Sequence, residues 1–208
     1  NPGSESVSNE KVLKELRVFS LIEGFRKRGH LLSTTNPIRK RRDRHAKLDL
    51  SDKNLTEDDL LLSYTAGRAI GLENASLTDI LNRLTSLYAG NIGIEYKHIR
   101  EAEEIEWITE KFEGRNTEYN FSIDKKKRIL NKLNQAVVFE KFLGTKYVGQ
   151  KRFSLEGGEN TITALDAIIN AAGESGSSEV VIGMAHRGRL NVLANILGKT
   201  YDYIFGEF

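Results

Sequence analysis

The sequence predicts a mainly α amino-terminal domain followed by the start of an α/β domain. Three observations predict it. Amphipathic stripes at helical spacing, with capping signals ahead of them, recur through the first half of the chain. Val180, Val181 and Ile182 form a short β-branched apolar run, which suits a strand buried on both faces as in a parallel sheet. Immediately after it, Leu190, Leu193, Ala194 and Leu197 recur at helical spacing, with Gly198 where a helix C-cap would fall. Residues 1–8 read as a linker or tag remnant, 9–114 as the helical domain, and 115–208 as the first part of the α/β domain. That second part is incomplete, because it holds too few strands to close a sheet.

The first helix is expected from about Asn9 to His30, with Val12, Leu13, Leu16, Phe19, Ile22 and Phe25 as its apolar stripe. Asn36-Pro37 marks a turn, since proline disfavours helix at the residue before it. Two capping boxes follow, Thr56–Asp59 and Ser76–Asp79, each ahead of helical apolar spacing. The first should open a helix from Leu60 to about Arg68, the second one ending near Gly90. Asn91 to Tyr96 alternates like a short strand. Glu101 to Phe112 reads as a helix burying Ile105, Ile108 and Phe112, with Trp107 at the edge of that face. Gly114 to Glu118 looks like a boundary. Ser122 then caps a long helix broken at Gly144, and a loop rich in glycine and cations runs to Gly158. Asn160 opens a helix with Ile162, Leu165, Ile168, Ile169 and Ala172 inside.

Composition narrows the function classes. The chain has 208 residues, 39% of them hydrophobic and 29% charged, and its 31 basic and 29 acidic side chains leave a formal charge of only +2. There is thus no global attraction to nucleic acid. With no cysteine, disulfides, thiolate catalysis and cysteine-ligated metals are excluded. No apolar run approaches the roughly 18 residues of a membrane helix and no signal peptide opens the chain, so no membrane partner is expected. A reducing cytoplasm is the natural compartment, or the mitochondrial matrix for a eukaryotic source. His45 and His98 have no second ligand at metal spacing and no role is assigned to them, His30 at a helix end reads as capping or packing, and no metal site is assigned.

Ile38 to Lys47 is the densest basic run. It can be read as a nucleic-acid patch, whose clustered cations would displace phosphate counterions, as a solvated loop, or as a surface facing an acidic partner, and the acidic stretch Glu101 to Glu106 could neutralise it. No aromatic residue interleaves it to stack on bases, and Asp43 interrupts it, so no nucleic-acid partner is assigned. A helical interaction module that docks an acidic or nucleic-acid partner through this run is the alternative to an enzyme.

Ala185, His186, Arg187, Gly188 and Arg189 lie between the expected strand and helix. Open α/β sheets bind ligands beyond the carboxyl ends of their strands. A histidine and two arginines there, beside a glycine that admits close backbone approach, suit an anionic ligand. The other reading is that His186 caps the helix or satisfies a buried carbonyl, with both arginines solvated.

Lys151-Arg-Phe-Ser-Leu-Glu-Gly157 and Gly183-Met-Ala-His-Arg-Gly-Arg-Leu-Asn191, taken together, resemble the amino-terminal part of the E1 component of 2-oxoglutarate dehydrogenase. Arg28-Gly-His-Leu31 followed by Asn36-Pro37, Phe142 to Tyr147, and Asn195 to Lys199 also fit, so the resemblance runs from about Val12 to the last residue. It implies that the second part begins a thiamine-diphosphate-binding domain and that Mg2+ accompanies this cofactor. His186 would bind and orient the 2-oxo acid, a task suited to a group that donates hydrogen bonds and moves protons near neutral pH. Arg152 would lie near the cofactor, its planar donors suiting phosphate or carboxylate. Glu156, Arg187 and Arg189 are read equally well as bracing the loops.

The implied reaction is decarboxylation of 2-oxoglutarate in the citric-acid cycle, with succinyl transfer to the lipoyl group of the E2 dihydrolipoyl succinyltransferase. The implied assembly is a homodimer. Specificity for 2-oxoadipate stays open, because these two loops do not measure the length of the pocket. The sequence departs from the family in lacking its magnesium- and diphosphate-binding segment, the glutamate that activates the aminopyrimidine, and the later substrate histidine. Alone, the chain is expected to be inactive.

Overall fold

The computed structural model describes residues 2–42, 44–115, 121–149 and 152–206, with side chains from residue 9 onward. Asp43, Lys151 and residues 116–118 of the expected boundary lie outside the described residues. The fold is mainly helical, and the chain divides into two compact units, Asn1–Tyr119 and Asn120–Phe208. No described helix is long and apolar enough to cross a membrane.

In the first unit, α1 spans Pro2–Arg28, so the helix begins within the stretch expected to be linker. Proline suits a first helical position, where its missing N–H is not needed. Arg26, Lys27 and Arg28 crowd the last turn, where cations oppose the negative end of the helix dipole. The buried face is Val18, Leu21, Ile22 and Phe25, whereas Val12, Leu13, Leu16 and Phe19 stay about half exposed. The helix is therefore turned by roughly a third of a turn from the expected stripe. Its carboxyl-terminal half sets the rotation by packing against α2, and Gly29 fixes the closeness of that contact. A Cβ at Gly29 would lie 2.5 Å from the Tyr88 Cβ.

The two capping boxes behave differently. Ser76 accepts from the Asp79 N–H at 3.1 Å and its own N–H donates to the Asp79 carboxylate at 3.2 Å. It opens α2, Leu77–Tyr88, which buries Leu77, Ile80, Leu84, Leu87 and Tyr88. The Thr56 box opens only a 3-10 turn, Glu57–Asp59, in place of the expected helix to Arg68. The following residues form β1 (Ser63–Tyr64), paired antiparallel with β2 (Ala75–Ser76), and a second 3-10 stretch, Thr65–Ile70. Asp59 Oδ2 accepts from the Thr56 N–H at 2.9 Å within the box, while its Oδ1 accepts from Lys14 Nζ at 2.7 Å and from the Tyr64 hydroxyl at 3.3 Å. Asn91 to Tyr96 is not a strand. Tyr96 is instead buried, its hydroxyl 3.2 Å from that of Tyr88.

Helix α3, Ala102–Glu113, lays Ile105, Ile108 and Phe112 against the core and leaves Trp107 outside. Its last residue, Glu113, is buried and ties the unit together. Arg26 grips both carboxylate oxygens, each at 2.7 Å, and the Tyr88 hydroxyl donates to the same group. The Glu113 hydrogen bond holds the Arg26 guanidinium above its ordinary value despite burial. Burial, then the Glu113 contact, pushes the Tyr88 hydroxyl up.

In the second unit, the Ser122 hydroxyl accepts from the Lys125 N–H at 3.2 Å and caps α4, Ile123–Lys146, which runs through Gly144 rather than breaking there. Three further helices follow: α5 (Asn160–Glu174), α6 (Arg189–Asn195) and α7 (Tyr201–Phe205). Ala136, Leu155, Ile162 and Val192 make one core cluster, and Phe139, Leu143 and Ile204 another. Ile168, expected inside, is exposed. Arg128 bridges to Asp166 through two bonds of 2.7 and 2.9 Å, joining α4 to α5. That contact, chiefly its hydrogen bonding, holds the Asp166 carboxyl below its usual range.

The expected strand at Val180–Ile182 does not form: the segment has no regular secondary structure, with Val180 44% and Val181 86% exposed. A strand buried on both faces needs flanking strands and covering helices. The described residues of this unit contain no sheet to receive it.

Candidate functional site

The two motif loops of the second unit come together over α4. Phe153 adopts φ +47°, in the left-handed region that a bulky side chain rarely occupies. Its carbonyl accepts from the Gly188 N–H at 2.8 Å, which stitches the 152–158 loop to the 183–188 turn. Gly188 itself has φ +76°, and a Cβ there would lie 2.6 Å from Leu155 Cδ1. Both the backbone conformation and the contact with a buried leucine therefore require glycine.

Beneath the stitch sits Glu140, 3% exposed, on α4. Its Oε2 accepts from the Ser154 hydroxyl at 2.8 Å and from Arg152 Nη1 at 3.2 Å. Its Oε1 accepts from Asn191 Nδ2 at 3.1 Å. Asn191, fully buried on α6, also donates to the Ala136 carbonyl at 3.0 Å and accepts from Asn195 Nδ2 at 2.7 Å. One carboxylate thus holds a residue from each motif and the helix beneath them. A buried charge persists only when paired and hydrogen-bonded in this way.

On the outer side, the His186 ring stacks on Phe153, with centroids 4.9 Å apart and planes inclined by 29°. His186 is exposed, and its backbone carbonyl, not its ring, accepts the Arg189 N–H that begins α6, at 3.1 Å. The exposed ring is thus held against Phe153. Arg152 lies mostly buried beside Gly144. Only its Nη1 is engaged by Glu140; among the described residues Nε and Nη2 carry no hydrogen bond. Two fixed donors remain for an anion.

Sequence reasoning singled out Arg152 and His186, and the structure brings their two loops into contact. Glu156, Arg187 and Arg189 are exposed and their side chains make no hydrogen bond among the described residues, so it is Glu140, Ser154 and Asn191 that brace the loops. Glu140 was missed. It precedes Lys141 on a charged helix and reads locally as one more solvated side chain; the asparagine that follows Gly-Arg-Leu was the one cue to a buried polar contact.

The His186 imidazole stacked on Phe153 and the Arg152 guanidinium held by Glu140 are thus carried on two loops locked over a buried carboxylate. No family model matches the chain. It is 47% identical over 198 residues, 94% of its length, to the multifunctional 2-oxoglutarate metabolism enzyme of Mycolicibacterium vanbaalenii. It is 44% identical over 210 residues, 99% of its length, to the 2-oxoglutarate dehydrogenase E1/E2 component of Corynebacterium glutamicum. The Mycobacterium sp. (strain JLS) multifunctional 2-oxoglutarate metabolism enzyme matches at 47% over 94% of the chain. The chain spans 16% to 17% of the length of these relatives. It belongs, as one segment, to the family of these 2-oxoglutarate enzymes.

Proposed function

We propose that the chain is the helical amino-terminal domain and the first active-site wall of a 2-oxoglutarate dehydrogenase E1. The observation that carries this reading is the joining of the Arg152 and His186 loops by the Phe153–Gly188 hydrogen bond over Glu140. In this reading His186 binds the 2-oxo acid, donating to its carboxylate or keto oxygen, and Phe153 keeps the imidazole from rotating away. An imidazole both donates hydrogen bonds and transfers protons, which suits a group working beside the substrate's carboxylate and keto oxygen.

Arg152 fits the diphosphate of thiamine diphosphate, because its Nε and Nη2 donors are left over once Glu140 has oriented Nη1. Thiamine diphosphate, when bound, supplies the electron sink for loss of carbon dioxide from a 2-oxo acid. In this reading Mg2+ would accompany the cofactor, and no residue of this chain is assigned to it; among the described residues no group of three or more His, Asp or Glu that could hold a metal occurs.

The acceptor proposed for the succinyl group is the lipoyl arm of E2 dihydrolipoyl succinyltransferase, in a homodimeric E1 of the citric-acid cycle. The Corynebacterium relative is named as an E1/E2 component, so this acceptor is proposed whether fused or separate. The test is carbon dioxide release by the complete polypeptide encoded by the gene, with 2-oxoglutarate and 2-oxoadipate compared in parallel. Release that requires thiamine diphosphate and favours 2-oxoglutarate is the expected result. No release from either acid, with cofactor and Mg2+ supplied, would overturn the reading.

A further inference from the structure

In the first unit, residues 33–37, 39–42 and 44 line an open cleft of about 610 Å3, with Arg39, Lys40, Arg41, Arg42 and Arg44 as its cations. That size is typical of small-molecule sites. Elsewhere in the unit Lys14 pairs with Asp59 and Arg26 with Glu113. Among the described residues no carboxylate pairs with any of the five cleft cations, and none lines the cleft. Like charges gathered so closely repel one another, which a bound anion would relieve.

The cleft is built rather than loose. The Thr34 N–H donates to the Gly90 carbonyl at 2.9 Å and its hydroxyl to Asn91 Oδ1 at 3.0 Å, tying one wall to the end of α2. Asn36 Oδ1 accepts the N–H groups of Ile38 and Arg39 at 2.9 and 3.2 Å, which fixes the turn. Arg41 Nη1 reaches back to the Ser33 carbonyl at 2.6 Å, and its buried Nε has no hydrogen-bond partner among the described residues. At the far end Arg28 holds the His45 carbonyl at 2.6 Å, and Ala46 and Leu48 are buried in the core.

We propose that this cleft binds a compact oligophosphate, a small molecule carrying two or more linked phosphates. Guanidinium forks match phosphate oxygens bidentately, and adjacent phosphates at short spacing match cations crowded into six residues. A nucleic-acid strand is disfavoured, because no aromatic ring lines the cleft to stack on bases. This site is independent of the Arg152 and His186 loops in the second unit.

Inorganic tripolyphosphate is the probe, titrated calorimetrically into the complete polypeptide at about 150 mM salt, where long-range attraction is screened. One site is expected, weakened roughly tenfold or more by R39A/R42A/R44A. A control that removes the same charge elsewhere, K11A/K111A/K126A, should bind as the parent does. The substituted cleft arginines are exposed, so circular dichroism should be unchanged, and the single variant R42E gives a second reading should the triple variant misfold. Absence of binding, equal loss in the control, or no loss in either cleft variant would overturn the proposal. So would tighter binding of a single-stranded oligonucleotide or a polyglutamate peptide than of tripolyphosphate.

Discussion

Replacing Glu140 by alanine removes the carboxylate on which both motif loops converge. Three donors lose their acceptor: Arg152 Nη1, the Ser154 hydroxyl and Asn191 Nδ2. Asn191 keeps its bond to the Ala136 carbonyl, and Ser154 is only half-buried, so neither is left fully orphaned. The Arg152 charge is the larger loss. Breaking a fully buried pair costs about 3–5 kcal/mol, and the Arg152 side chain is 19% exposed, so part is recovered from solvent. A net loss of about 3 kcal/mol for the second unit follows. Urea unfolding followed by circular dichroism measures it, and at about 1–3 kcal/mol per molar the midpoint should fall by roughly 1 M or more. Trp107, the single tryptophan, sits on α3 of the first unit, so its fluorescence reports that unit separately. A midpoint shift under roughly 0.3 M, or one confined to the Trp107 signal, would refute the role given to Glu140.

Gly188→Ala should destabilise by about 2–4 kcal/mol, combining left-handed backbone strain with the clash against Leu155. Gly188→Asn tolerates the backbone better but keeps the clash; thermal melts in which either variant equals the parent would contradict the stitch. Burial pushes the Asp59 carboxyl up, but the Lys14 ammonium and the Thr56 N–H outweigh this and hold it below its ordinary value. A carboxyl depressed in the folded state stabilises above its unfolded pKa, about 4, and that contribution fades as pH falls through the folded value. Urea midpoints measured downward from about pH 6 should therefore fall less steeply in Asp59→Asn than in the parent, and parallel slopes would contradict the assignment.

Ser76–Asp79 was legible because cap and helix are local: the box and the apolar spacing after it lie within one continuous stretch. The Thr56–Asp59 box forms as well, but it opens only a 3-10 turn, because the chain after it turns into the β1–β2 pairing with Ala75 and Ser76, which no local signal announces. The rotation of α1 was illegible for a related reason. Two apolar stripes share one helix, and neighbours distant in sequence, the Thr65–Ile70 stretch and α2 among them, select between them. Val180 to Ile182 has the composition of a buried strand, but composition does not provide neighbours. At the site, Arg152 and His186 stood out through motif chemistry, whereas Glu140 is defined by partners at positions 152, 154 and 191 that no local pattern announces.

His186→Ala in the complete polypeptide separates a substrate-binding histidine from a structural one. The ring is exposed and its one described contact is the Phe153 stack, so the stability loss should stay below about 1.5 kcal/mol. With the fold intact, kcat/KM for 2-oxoglutarate decarboxylation should fall by roughly 100- to 10,000-fold. Activity within about twofold of the parent, or a loss explained entirely by unfolding, would contradict the role assigned to His186.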